Sequence, residues 1–475
     1  MGTAELDALT RRVRHDLEAI EVPPRDWLPA VARPCGASAS DVVVVGAGLS
    51  GLSIAFGLMR KGVRRIRVID AAPEGREGPW ITTARMRTLR SPKWLSGPDW
   101  GVPSLTYRAW HEALYGASHY ETLTLIPKED WMAYLVWFRR ALGLEVENNT
   151  SLLGIEDDGA HLELSLRGPQ GEETAYCRRV VLATGITGAG APIVPESVTA
   201  LPQDRCNHSD APFDCARFAG EDVAILGAAA SAFDFAVAAL ENGVRKVTVI
   251  ARGREMPVTE ILDWSNFPGF LEHFADLSDE WRVRFTDRML AFRAPPTQEM
   301  YDRATGDPRF SMLAGVDIER AAPTVDGIAL TLSDGMQLAA HRLLLGTGYA
   351  VDLASRPELA PFAADVALWR DRFTPPDDLK RSAVLDYPYL GPAFELTERE
   401  PGTAPILSRI HLFNNGAVPS LGPICNGVTG LKFGAPRIVS GLTRALFMED
   451  VESHYGALDA FDRRHFDPRR VPESA

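Results

Sequence analysis

The sequence predicts an α/β protein of two Rossmann-like, doubly wound, three-layer dinucleotide-binding domains, the second inserted in the first. Two runs carry the prediction: DVVVVGAGLSGLSIAFGLMRKGVRRIRVIDAAP from Asp41 and EDVAILGAAASAFDFAVAALENGVRKVTVIARGRE from Glu221. Each reads as an apolar strand, a glycine turn, a helix with apolar residues at 3.6 spacing and a second strand, which is a βαβ unit. A third observation is a repeated ending further on, where RRVVLATG closes at Gly185 and RLLLGTGY passes through Gly348. At ~150 residues per domain, 475 residues leave room for two or three.

The elements follow in order. Residues 4–20 read as an amphipathic helix ended by Pro23 and Pro24, so residues 1–37 form a helical arm. Residues 38–205 form the first part of one domain. After its βαβ unit come a helix from Trp131 to Leu142, strand-like VENNTSLLGIE and HLELSLRG, and the strand that ends at Gly185. Residues 206–345 form the second domain. Within it, residues 259–312 mix aromatics from Trp264 to Phe292 with charges and break at Pro295-Pro296. They read as a helical insertion or lid; aromatics that merely glue surface helices to the core are the equal alternative. Residues 346–475 complete the first domain and include an apolar helix from Ile438 to about Met448.

The glycine turns carry the chemistry. Gly46-Ala47-Gly48-Leu49-Ser50-Gly51 follows a strand and opens a helix, the context in which this motif has a mechanism. Gly46 permits the tight turn, Gly48 lets backbone amides approach a pyrophosphate, Gly51 allows close helix packing, and the helix N-terminus favours phosphate. Asp70 ends the second strand where a carboxylate takes a ribose diol. The second turn, Gly227-Ala228-Ala229-Ala230-Ser231-Ala232, keeps the first glycine and has alanine at the other two positions. The methyl of Ala229 should push a pyrophosphate outward, weakening or tilting the cofactor; a domain that has lost its nucleotide is the alternative. Its second strand ends in Arg252-Gly253-Arg254 with no carboxylate, which fits a 2′-phosphate and hence NADPH over NADH.

Composition excludes other classes. Lys plus Arg at 50 against Asp plus Glu at 63 leaves a net charge of −13, without the positive field that binds nucleic acid. Five cysteines (Cys35, Cys177, Cys206, Cys215, Cys425) form no C-x-x-C pair, which reads as a reducing cytoplasm without a metal or dithiol centre. The charged N-terminus lacks a signal peptide, and no apolar run approaches the ~18 residues of a membrane span. A homo-oligomer stays open.

These motifs, in this order, resemble the flavin-dependent monooxygenases with two dinucleotide-binding domains, the class B group of N-hydroxylating, flavin-containing and Baeyer–Villiger enzymes. The resemblance rests on the two turns, Gly78-Pro79-Trp80, Ala183-Thr184-Gly185 and Leu345-Gly346-Thr347-Gly348-Tyr349, and covers most of the chain after residue 38. The family's linker fingerprint is partial: His208-Ser209 and Phe213 stand, but Asp204 occupies a glycine position. The resemblance implies FAD in the first domain and NADPH in the second, with Trp80, Thr184, Thr347 and Gly348 among the cofactor-binding residues. It places the run from Arg85 to Trp94 near the isoalloxazine.

No Ser-His-Asp order or metal-ligand spacing is legible, so the cofactors must supply the chemistry. The resemblance implies hydride from NADPH to flavin, oxygen addition at the flavin C4a position, and oxygenation of a small metabolite with water kept out. N-hydroxylation of an amine stands narrowly ahead of ring hydroxylation, S-oxidation and Baeyer–Villiger insertion. Arg85, Arg87, Arg90 and Lys93 would stabilise an anionic reduced flavin, Arg90 and Lys93 foremost; a salt-bridged surface loop explains any one of them as well. His208 is a candidate general acid or base, or a structural histidine. Asn414-Asn415 and SLGPICNGVTGLKFGAPR, with Asn426, suggest close backbone approach to the flavin, or helix packing against that domain. A flavin reductase or dehydrogenase, and a nucleotide-sensing flavoprotein without turnover, are the other readings.

Overall fold

A computed structural model describes residues 2–29, 39–425 and 427–466. Residues 30–38, Cys35 among them, Asn426 and residues 467–475 lie outside the described residues. The arm's helix spans Gly2–Ala19. Its Val13 and Leu17 are buried in the same core as the first sheet.

The first βαβ unit forms as expected: strand Ser40–Val45, helix Leu49–Arg60 and strand Ile66–Ile69, with parallel register Val44 to Val68. On the other side of Ser40–Val45 lies Gly171–Leu182, also parallel, Val44 opposite Val181. Strands Leu162–Gly168 and Ser151–Asp157 continue the sheet as an antiparallel meander. Val42, Val43 and Val44 are fully buried, as an all-apolar run needs when both sheet faces are covered. Helix Lys128–Leu142 buries Trp131, Tyr134 and Phe138 on one face, which is its 3.6 periodicity realised.

The second sheet is wholly parallel. Its order is Phe310–Ala314, Lys246–Ala251, Asp222–Leu226, Arg342–Leu345, Cys206–His208. A separate three-stranded antiparallel sheet, Ile318–Pro323, Ile328–Leu332 and Gln337–Ala340, packs over it and shares its core. The chain then returns to the first sheet, where Ile410–Leu412 pairs in parallel with Val180 to Leu182. The protein is thus a mixed α/β molecule with two largely parallel sheets.

Two elements differ from the sequence expectation. The helical stretch after residue 259 comprises Ile261–Ser265, Pro268–His273, Asp279–Ala291 and Gln298–Thr305. It stops there, because Phe310–Ala314 gains a full ladder by pairing with Lys246–Ala251. The last long helix spans Val428–Glu449, ten residues earlier in its start than expected. Pro436 lies inside it, and the close contact of Gly430 and Gly434 with the Pro423–Ile424 backbone holds this turn in place. Among the described residues, no helix is long and apolar enough to cross a membrane, and Cys177, Cys206, Cys215 and Cys425 are free thiols.

Candidate active site

The first glycine turn is a cradle shaped by what a side chain would hit. Gly46 has φ 99°, and a Cβ there would stand 2.5 Å from the Ala183 carbonyl oxygen. A Cβ on Gly51 would overlap the Gly46 carbonyl oxygen, so the helix can start this close only with glycine. Gly48 differs: its Cβ would meet only Gly78, at 3.7 Å, so its hydrogen keeps a gap open between the two backbones. Gly48 is the N-cap and offers no capping side chain. Among the described residues, nothing accepts from the Leu49 N–H, so the helix N-terminus is open to an anion. Ser50 follows it in the first helical turn.

Asp70 closes this cradle at the strand end. Its carboxylate accepts from the Ala47 and Ala72 N–H groups, each at 2.7 Å, which aims it at the glycine turn. Burial pushes its pKa above the ordinary carboxylate value, while those two N–H bonds pull it back. Each oxygen keeps a lone pair for a ribose hydroxyl. Beside Gly78, the buried Trp80 indole N–H has no acceptor among the described residues, and its ring packs edge-on against Trp131. Thr184 accepts from Asn414 at 3.2 Å, and Asn414, fully buried, fastens Gly416 and Cys425. Asn414 therefore ties the strand after residue 410 to the first cradle.

The second turn repeats the interlock. Gly227 has φ 120°, and its Cβ would stand 2.5 Å from the Gly346 carbonyl oxygen, as Gly46 does from Ala183. Ala232 packs against Gly346, and Ser231 is exposed. The Ala230 N–H, counterpart of Leu49, already donates to the Ala294 carbonyl at 2.9 Å. Arg252 is largely exposed, 3.8 Å from Asp317, and exposed Arg254 lies along Gly315. Thr347 donates to the Ile193 carbonyl at 2.5 Å, and Gly348 has φ 84°.

The basic run expected at the flavin ring is held by partners within the protein. Arg85 donates to the Ala211 and Phe213 carbonyls and stacks on the Phe213 ring at 4.6 Å. Arg87 pairs with Glu241 at 2.6 Å, and Arg90 with buried Asp234 at 2.7 Å. Both acids lie on helix Ala230–Glu241 of the second unit. Lys93 donates to the Tyr120 and Glu121 carbonyls, and Trp94 is 74% exposed. Its three arginines brace the two units against each other.

His208 is buried, and its Nδ1 accepts from the Asp210 N–H at 3.2 Å, so the proton sits on Nε2. The Gly348 backbone faces the ring as a hydrogen-bond partner, too poorly aligned to satisfy Nε2 fully, and the ring meets Tyr349 edge-on at 5.2 Å. Burial lowers its pKa, more than nearby Asp210 raises it. A neutral, enclosed imidazole suits positioning of the 346–349 turn better than proton exchange. Sequence reading missed three partners: Arg293, Ala294 and the buried Glu77. Glu77 accepts from Arg139 at 3.0 Å and Asn148 at 2.7 Å. None belongs to a motif, and only the fold brings them to the turns. A cavity of about 860 Å³ lies along helix Val428–Glu449, and no residue of either glycine turn lines it. No metal-binding cluster exists among the described residues.

Two largely parallel sheets, each with a glycine turn clamped on a Thr-Gly strand end, define a protein with two dinucleotide-binding-type units. The chain belongs to the L-lysine 6-monooxygenase/L-ornithine 5-monooxygenase family, whose model matches residues 38–351. It is 37% identical over 469 residues, 97% of each chain, to an FAD-dependent urate hydroxylase from Xanthomonas campestris pv. campestris. Its fold is similar to ornithine hydroxylase from Pseudomonas aeruginosa, at TM-score 0.66 and 18% identity, covering 86% of this chain and 100% of that one. It is also similar to the ornithine N-hydroxylase of Kutzneria sp. 744 solved with reduced FAD, NADP+ and L-ornithine. There the TM-score is 0.65 and the identity 16%, covering 86% and 99%. The chain is therefore a flavin-monooxygenase family enzyme.

Proposed function

We propose that the protein is an FAD-dependent monooxygenase that uses NADPH and O2 to oxygenate a small metabolite. In this reading residues 38–205 and 346–475 form the FAD domain and residues 206–345 an inserted NADPH domain. The observation that carries it is the first cradle, glycine-lined, uncapped and closed by Asp70. Gly46, Gly48 and Gly51 shape the pyrophosphate seat, the Leu49 and Ser50 amides face it, and Asp70 receives the ribose. The unpaired Trp80 N–H fits a cofactor oxygen, since a buried donor left unmade costs about 1–3 kcal/mol. Asn414 and Thr184 hold the opposite wall. Bound there, FAD supplies the oxygen-activating ring.

Arg85, Arg87 and Arg90 set the distance between the units rather than meeting charge on the ring. Lys93 holds the following turn to helix Ala117–Thr122. The relative matching 97% of both chains is a urate hydroxylase, which favours ring hydroxylation of a purine-type heteroaromatic. N-hydroxylation of a diamino acid is the second reading, favoured by the family match. The purified protein should carry, or be reconstituted with, FAD in one-to-one ratio. NADPH should reduce it without oxygen. Oxygen consumption stimulated by urate, but not by ornithine or lysine, would select the first reading; the reverse would select the second. A colourless protein that takes up no FAD defeats both.

A further inference from the structure

The two helix-opening turns differ in occupancy. Leu49 follows Gly46 by three residues, and its N–H meets no acceptor among the described residues; Ala230 follows Gly227 by three, and its N–H is taken by the Ala294 carbonyl at 2.9 Å. A carbonyl oxygen carries partial negative charge, so it stands where a phosphate oxygen would have to stand. The second turn, as it is folded here, does not admit a pyrophosphate.

Ala294 belongs to a strap, residues 292–296, between helices Asp279–Ala291 and Gln298–Thr305. Pro295 and Pro296 give it fixed φ angles and no N–H donors of their own, so it moves as a stiff piece. Gln298–Thr305 is anchored on the second unit through buried Met300 and Ala304. Asp279–Ala291 is anchored elsewhere: Arg282 donates to the Ser420 carbonyl at 3.0 Å and lies over the Trp369 ring. Ser420 is six residues beyond Asn414, on the stretch that returns to the first cradle. Exposed Arg293 reaches to 3.7 Å from where a Cβ of Gly348 would stand, with no acidic partner among the described residues.

We propose that the 292–296 strap is a gate on the second glycine turn: a dinucleotide enters by displacing the Ala294 carbonyl from Ala230, and Arg293 then takes its phosphate. This rests on the second unit being a nucleotide site. Opening the gate shifts Asp279–Ala291 and so reaches Ser420, which couples nucleotide arrival to the flavin cradle.

The test is NADP+ titration of the FAD-loaded protein, read by flavin absorbance and by hydrogen exchange. NADP+ should speed exchange of the Phe292 amide, which donates to the Met289 carbonyl while the strap is closed, and Ala230 should stay protected. P295G/P296G, which loosens the strap, should bind NADP+ several-fold tighter by populating the open form. Arg293→Ala should bind it about tenfold weaker, from loss of a charge-assisted contact. NADP+ binding with unchanged strap exchange and wild-type affinity in both variants overturns the gate alone. Binding by P295G/P296G but not by the wild type supports it. No binding by either overturns the nucleotide reading and the gate together.

Discussion

Arg90→Met should loosen the second unit from the first at neutral pH. Asp234 is only 6% exposed, its Oδ1 already lacks a partner among the described residues, and Arg90 is its ion-pair partner at 2.7 Å. Breaking a buried pair by removing one member costs about 3–5 kcal/mol. The Arg90 side chain is 32% exposed, so water reaches the vacated place and the cost falls to about 1–3 kcal/mol. Burial holds the Asp234 pKa above its ordinary value, with Arg90 the main opposing influence, so the substitution raises it further. A folded pKa above the unfolded one favours the protonated native state. The deficit is therefore absent below the unfolded carboxylate pKa and complete once pH exceeds the folded one. Urea unfolding of FAD-loaded protein should show Arg90→Met losing most stability near neutrality and little in mild acid. Asp234→Asn in the Arg90→Met background should recover most of the loss. A deficit independent of pH, or no recovery in the double variant, would refute the reasoning.

Gly51→Ala should abolish FAD retention or folding, because the new methyl overlaps the Gly46 carbonyl; FAD per protein in the soluble fraction checks this. Asp70→Asn should keep the two backbone bonds through its remaining oxygen only in part, weakening FAD by roughly ten- to hundredfold, about 1.5–3 kcal/mol, in dialysis against free flavin. His208→Leu should flatten the acid side of the stability profile. Its folded pKa is lowered, so burying neutral His208 stabilises above the unfolded value of about 6.5 and that stability is lost as pH falls; thermal melts from mild acid to neutrality measure it. Arg252→Ala should lower the NADPH-to-NADH preference about tenfold in flavin-reduction rates, the worth of one charge-assisted bond to a 2′-phosphate.

The glycine turns were legible because their constraint is local. A glycine three residues before a helix amide, at the end of an apolar strand, has one structural use, and the 2.5 Å approach of Gly46 to Ala183 and of Gly227 to Gly346 is the same use twice. The end of the helical stretch was not legible. Phe310–Ala314 has no alternation of its own and becomes a strand only by pairing with Lys246–Ala251. The partners of the basic run were not legible for a related reason. Charge in sequence does not say which acid faces it, and Glu241 and Asp234 lie more than 140 residues away in the chain, on a helix whose docking no local pattern encodes.

By itself, then, the amino-acid order determined the two βαβ units, their turns and Asp70, since backbone sterics and 3.6-residue periodicity act within a few neighbours. Only the tertiary structure decided which turn stands open and which is filled. That difference depends on Ala294 arriving from a distant strap to satisfy one amide, just as the bracing of the two units depends on Arg90 finding Asp234. Such pairings are chosen by packing, which sums contacts over the whole chain.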